Sequence, residues 1–168
     1  MYKKTISSPI GKITLAGTDT YLAGLWIEGQ KHFEYNLGEF LEGTSRATEQ
    51  AEAWLDMYFN NKIPNINIVL RPNGTEYRKT IWEILCDIPY GEIISYGQIA
   101  EMYKHKTGNK TSARAVGNAV GYNPISIIIP CHRVLGADKS MTGYAGGIGK
   151  KMFLLELEDK VIKTYKNR

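Results

Sequence analysis

Residues 127–134 constrain this chain more than any other stretch: Ile127, Ile128 and Ile129 run into Pro130, and then come Cys131, His132, Arg133 and Val134. An uninterrupted apolar run reads as a buried strand or core segment, and proline breaks that geometry at the residue before the thiol. Cys131 is therefore expected at the edge of the core, held in place, with a basic pair next in line. A thiol works as a nucleophile only as its thiolate, so it needs a base or a positive charge beside it. His132 and Arg133 can supply either. Taken alone, the stretch fits a buried structural cysteine next to a solvated basic pair better than a reactive one.

The 168 residues allow one domain or two small ones, and 43% apolar with 23% charged residues is ordinary for a soluble globular protein. No apolar run approaches the roughly 18 residues of a membrane span, so no membrane partner is expected. The stretch Met1–Pro9 lacks the apolar region of a signal peptide. Cys86 and Cys131 form neither a disulfide framework nor a zinc spacing, which points to a reducing, cytoplasmic setting and to no metal. Charge is unevenly divided. Residues 1–72 carry seven Lys/Arg against eight Asp/Glu, a net of −1, whereas residues 73–168 carry fourteen against nine, a net of +5. The basic excess shares a half with the thiol, and nucleic acid is the obvious anionic partner.

The pattern along the chain is α+β. Lys12–Ala16 and Leu22–Ile27 read as strands joined by a hairpin connection, Thr44 to Phe59 as a helix, and Ile66–Leu70 as a short closing strand. Arg71–Thr75 forms turns and marks a boundary, giving an N-terminal domain over 1–72 and a C-terminal domain over 73–168. In the second part Glu76–Cys86 reads as an amphipathic helix and Ile88–Glu92 as a turn. Ser95 caps a helix running through Met102, Lys104–Lys110 is a polar turn, and Thr111 or Ser112 caps a helix over Ala113–Val120. Two short helices around a glycine-containing turn resemble a helix-turn-helix. The second is built of Ala and Gly, with Arg114 its only charge, as suits either close approach to DNA or a seam against a neighbouring helix.

These blocks together resemble the O6-alkylguanine-DNA alkyltransferases. They are Pro130–Val134, Ser95–Ala100, Ala113–Gly117, Asn123-Pro124, Gly143–Gly147 and the final helix with Phe153, Leu154, Leu155 and Glu158. Residues 8–30 are similar to that family's N-terminal domain. The resemblance implies a ribonuclease-H-like N-terminal α+β domain and a mostly helical, winged-helix-like C-terminal domain. It implies transfer of an alkyl group from O6 of guanine, and from O4 of thymine, in double-stranded DNA to Cys131, once per molecule, by a monomer with no cofactor.

The same resemblance assigns roles. His132 takes the Cys131 proton through a water, Glu158 orients and balances that imidazole, and Asn123 holds the active-site turn. The Tyr96 hydroxyl stabilises the leaving guanine. The carbonyls of Cys131 and Val134 accept from the guanine amine, the Ala145 amide donates toward O6, and Tyr144 walls the pocket. Arg114 fills the space left by the everted base, with Ala115 and Gly117 on the same minor-groove helix and Ser95 and Arg133 as further DNA contacts. The segment Tyr103–Thr111 looks longer than the family's turn. Cys86 reads as a core cysteine at a helix end, His32 and His105 as surface residues, and Lys160, Lys163, Lys166 and Arg168 as a solvated tail. Two other readings remain: a non-catalytic DNA-binding lesion sensor, against which the presence of Cys131 speaks, and a cysteine hydrolase, which leaves Tyr96 and Arg114 without a purpose.

Overall fold

The computed structural model describes residues 1–34, 38–141 and 143–166. Strands β1 (Tyr2–Ser8), β2 (Gly11–Gly17) and β3 (Leu22–Ile27) form an antiparallel meander. The two-residue β4 (Leu41–Glu42) adds in parallel to β1, giving the order β3-β2-β1-β4. Helix α1 (Arg46–Phe59) starts at a reciprocal capping box, Ser45 with Thr48, and lays Ala47, Ala51, Trp54, Leu55 and Tyr58 on the sheet. β1 was not legible as a strand because its exposed and half-buried positions carry Lys3, Lys4 and Thr5 rather than an apolar alternation.

β3 is buried along its whole length and its outer edge is used twice. At one end Leu22 pairs with the 69–71 segment, the Leu22 amide donating to the Val69 carbonyl and the Arg71 amide to the Leu22 carbonyl. Of the expected closing strand over Ile66–Leu70, only this single bridge at Leu70 forms, and Ile66 and Val69 face solvent. At the other end the Leu25 amide donates to the Pro124 carbonyl at 2.8 Å and the Ser126 amide to the Leu25 carbonyl at 2.9 Å. The N-terminal sheet is thus hydrogen-bonded to the turn that leads to the thiol.

The second part is mostly helical. Helix α2 (Glu76–Cys86) is capped by Thr75, and a short strand β5 (Ile94–Ser95) leads into α3 (Tyr96–Thr107), whose capping box pairs Ser95 with Gln98. Helix α4 (Ala113–Gly121) is capped by the Ser112 hydroxyl, completing the helix-turn-helix. β6 (Val134–Leu135) pairs in parallel with β5, and α5 (Ile148–Lys166) closes the domain. The polar stretch expected to be a long turn is largely helix. α3 continues to Thr107, where Lys104, His105 and Lys106 lie in the negative end of the helix dipole and Gly108 ends it at φ 76°. Tyr103 anchors that last turn edge-on against Tyr77. Among the described residues, no helix is long and apolar enough to cross a membrane, and no group of three or more His, Cys, Asp or Glu could hold a metal.

Candidate active site

The apolar triplet before the thiol is core but not strand. Ile127, Ile128 and Ile129 are all buried, and tight turns fold them up. The Ile128 amide donates to Ser126 O at 2.8 Å, Ile129 to Ile125 O at 3.0 Å, and Cys131 to Ile129 O at 2.8 Å. Ile127 sits at φ 70°, a costly conformation for a β-branched residue and one that clusters at functional sites. A continuous apolar run cannot separate these alternatives by periodicity, since every side chain is buried either way. The turns deliver Cys131 into a single 3-10 turn, Cys131–Arg133, at 3% exposure.

Asn123 holds this arrangement. Its Nδ2 lies 2.9 Å from Ile129 O, 3.4 Å from Ile125 O and 3.1 Å from Cys131 Sγ, while its Oδ1 accepts from the Ile125 amide at 3.0 Å. Behind it stands Gln30 of the N-terminal domain. Its Nε2 donates to Asn123 O at 3.3 Å, and its Oε1 accepts from Ser126 Oγ at 2.9 Å and from the Ile27 amide.

The carboxylate of Glu158 is the hub of the site, at 1% exposure. Oε1 accepts from His132 Nε2 at 2.7 Å, Tyr58 Oη at 2.8 Å and Arg133 Nη2 at 3.0 Å. Oε2 accepts from Arg133 Nε at 2.9 Å and the Gly91 amide at 3.0 Å. Burial alone would raise its pKa, but the His132 and Arg133 hydrogen bonds outweigh it and hold the group at about 2. An ionised carboxylate only accepts, so the proton of a neutral His132 lies on Nε2 and the lone pair on Nδ1. Among the described residues no protein group hydrogen-bonds that Nδ1, and burial lowers the pKa of the imidazole. Gly91 is needed where it stands. At φ +77° it aims its amide at Glu158, and a Cβ there would meet Ile162 Cγ1 of α5 at 2.4 Å.

Burial pushes the Cys131 thiol up, and Asn123 and the charge of Lys151 pull it down. Lys151 is fully buried, donating from Nζ to Val134 O at 2.6 Å. Its own pKa is lowered by burial and raised in part by Cys131. Sequence reading passed over this lysine, although the spacing Lys151, Leu154, Glu158, Val161 places it on the apolar face of α5. In the sequence Tyr58 is one position within the Thr44–Phe59 helix.

Outside this network lies a groove of 420 Å³ lined by Tyr96, Arg114 and Gly117 of the helix-turn-helix, by Gly143–Ala145, and by Lys31 and His32 of the N-terminal domain. None of its described lining residues is a carboxylate. Arg114 is exposed, and Ala115, Gly117, Ser95 and Tyr96 are half-buried. Tyr96 Oη reaches Gly143 O at 3.5 Å, and Gly117 of α4 faces the Tyr96 ring. Ala145 O accepts from the Lys31 amide at 3.0 Å. Tyr144 lines the groove while its hydroxyl is pushed well above the ordinary range, by burial and then by the adjacent Cys131. It borders both the groove and Cys131.

The Ser95 hydroxyl accepts from the Gln98 amide, the expected helix cap. Two expectations are corrected. Arg133, expected as a DNA contact, is buried: at 7% exposure its guanidinium clamps Glu158, donates to Ile88 O at 2.7 Å and lies over the Tyr90 ring. Cys86 is not a core residue. It ends α2 on the surface, beside a separate 620 Å³ cavity, and burial of its sulfur together with Asp87 and Glu83 pushes its pKa up to about 11. His32 is exposed as expected but stacks on Tyr122 at 3.7 Å, with Arg78 over the same ring. Of the expected solvated tail, Arg168 lies outside the described residues, and Lys163 pairs with Asp159.

A buried thiol beside an oriented imidazole, behind a helix-turn-helix groove free of carboxylates, defines a DNA-binding protein with a nucleophilic cysteine. Residues 1–72 match the ribonuclease-like domain of 6-O-methylguanine DNA methyltransferase and residues 76–160 its DNA-binding domain. The chain is 42% identical over 164 residues to a methylated-DNA–protein-cysteine methyltransferase of Methanosarcina barkeri, covering 97% of this chain and all of that one. It is 42% identical to one of Mycobacterium tuberculosis, covering 94% and 92%. It superposes on the crystal structure of Mycobacterium tuberculosis OGT in complex with DNA with a TM-score of 0.85 at 40% identity, covering 96% and 94%. The chain belongs to the 6-O-methylguanine DNA methyltransferase family.

Proposed function

We propose that this protein repairs double-stranded DNA by direct reversal, moving the alkyl group from O6 of an alkylated guanine, or from O4 of an alkylated thymine, onto Sγ of Cys131, once per molecule and as a monomer. The observation that carries this reading is the pairing of His132 Nε2 with the ionised Glu158 at 2.7 Å, which leaves Nδ1 as the basic nitrogen of the residue that follows the buried thiol in the chain. The protein's relatives are named for the same transfer.

The Cys131 proton passes through a water to His132 Nδ1, and the imidazolium is balanced by Glu158. The thiolate attacks the alkyl carbon in line, the carbon–O6 bond breaks with its electron pair going to guanine, and a thioether forms. Guanine leaves poorly as an anion, so the Tyr96 hydroxyl and the Ala145 amide stabilise it, and the carbonyls of Cys131 and Val134 hold its amine. The base must leave the stack to reach the site, which costs a few kcal/mol. Arg114 fills its place while the Ala/Gly face of α4, with Ala115 and Gly117, lies in the minor groove. Tyr144 stands across the path to the thiol, so base entry moves its ring.

Incubation with an oligonucleotide bearing O6-methylguanine, followed by intact mass and peptide mapping, tests the reading. The expected result is a gain of one methylene on the Cys131 peptide that stops at one equivalent. Binding with no mass change would instead mark a lesion sensor, and turnover of an acyl substrate with the protein unmodified would mark a hydrolase.

A further inference from the structure

We infer that Tyr58, supplied by the N-terminal domain, is a positioning residue for the transfer: by donating to Glu158 Oε1 it limits the negative charge that carboxylate offers to His132, so that the imidazole rests neutral with Nδ1 ready to accept a proton. The inference rests on the function proposed above and extends it across the domain boundary.

Tyr58 is fully buried on α1, a hundred residues from its partner, and its hydroxyl lies 2.8 Å from Glu158 Oε1 and 3.5 Å from His132 Nε2. Because Nε2 carries a proton, the 3.5 Å approach is that of two donors side by side on one oxygen rather than a bond between them. The ring is fixed from several sides: it stacks on Trp54 at 5.3 Å and 14°, and meets Phe59 and Tyr90 edge-on at 5.4 and 5.8 Å. Packing alone would be served by phenylalanine, and burying a hydroxyl is unfavourable unless it is bonded. Burial and then Glu158 raise the Tyr58 hydroxyl well above its ordinary range, so it stays a donor at any pH the protein meets.

The five hydrogen bonds to Glu158 have distinct consequences. Arg133 keeps the carboxylate ionised, and the Gly91 amide fixes Oε2. Tyr58 shares Oε1 with His132, and each donor on an oxygen lowers the charge left for the next. The other charged or titratable groups facing this cluster are Arg133 and Cys131 of the 3-10 turn, Lys151 of α5, Tyr90 after α2 and Tyr144 before α5. In the hydrogen bonds described, Tyr58 is the phenolic donor on Oε1. Without it, Glu158 holds a proton on His132 more tightly.

The test compares wild type, Tyr58→Phe and protein carrying 3-fluorotyrosine at position 58, a stronger donor of nearly the same shape. Two readouts are followed against pH: methyl transfer to Cys131 from an O6-methylguanine oligonucleotide, and the His132 imidazole by nitrogen NMR without DNA. For Tyr58→Phe the acid limb of the rate profile moves to higher pH. Below its midpoint wild type outpaces the variant by roughly three- to tenfold, and the ratio closes as pH rises. Fluorotyrosine moves both readouts the opposite way, and it decides alone if Tyr58→Phe does not fold. A rate lowered by one constant factor at every pH, with the His132 titration unmoved, would overturn the inference and reduce Tyr58 to packing. If wild type takes no methyl group at all, the proposed function fails, while the His132 titration still decides the role of Tyr58.

Discussion

Asn123 Nδ2 lies 3.1 Å from Cys131 Sγ while the same amide group bonds Ile129 O and, through Oδ1, the Ile125 amide. One side chain therefore both shapes the turn before the nucleophile and touches its sulfur. Asn123→Ala leaves a buried amide and a buried carbonyl without partners, so unfolding in urea should show a loss of about 2–3 kcal/mol. Methyl transfer should fall further than this stability loss accounts for at temperatures where the variant is folded. Wild-type transfer by a folded Asn123→Ala would remove the residue from the site.

Lys151 places a buried ammonium against the Cys131 loop, and its charge lowers the pKa of the thiol. Lys151→Met keeps the length and apolar stem and removes the charge. Reaction of Cys131 with iodoacetamide at neutral pH should slow by on the order of three- to tenfold, and its titration at 240 nm should move to higher pH. An unmoved thiol titration would leave Lys151 only the task of holding Val134 O.

Acid stability should report on Glu158. Its folded pKa, about 2, lies below the unfolded value of ~4.3, so its contribution is complete above the unfolded value and is lost as pH falls toward about 2. The shift corresponds to roughly 3 kcal/mol. His132, lowered by burial, has the same sign: its stabilising share is present while it is neutral and is lost on acidification from its ordinary range. Glu158→Gln should be less stable at neutral pH and show a flatter pH dependence between ~4.3 and 2 in chemical denaturation. A slope equal to wild type there would assign the acid sensitivity to other carboxylates.

Arg114 is exposed on the groove and touches none of the thiol network. Arg114→Ala should slow methyl transfer from duplex by on the order of tenfold or more, since eversion loses its support, yet leave reaction with free O6-benzylguanine near wild type. Equal losses on both substrates would take the eversion role away from this side chain.

Much of this molecule is local in origin, and so was legible in the chain. α2 follows from an amphipathic repeat with Thr75 before it, and α3 and α4 start where Ser95 and Ser112 cap them. These signals act over three or four residues, and tertiary contacts did not override them. Cys131, His132, Asn123 and Glu158 stood out by residue type and motif. Three things did not. The Ile127–Ile129 run gave burial but not conformation, because burial on all sides leaves no period to read. Arg133 looked like a DNA contact because basic residues are usually solvated, and only the fold sets Glu158, Ile88 O and the Tyr90 ring around it. Tyr58, Gln30 and Lys151 looked like parts of separate elements. What each does depends on partners 100, 93 and 17 residues away, distances no local pattern spans. The sequence by itself determined the capped helices and the place of the Cys131-His132 pair. Only the tertiary structure decided the electrostatic environment of that pair, because a hydrogen bond between distant side chains exists only once the two domains have packed.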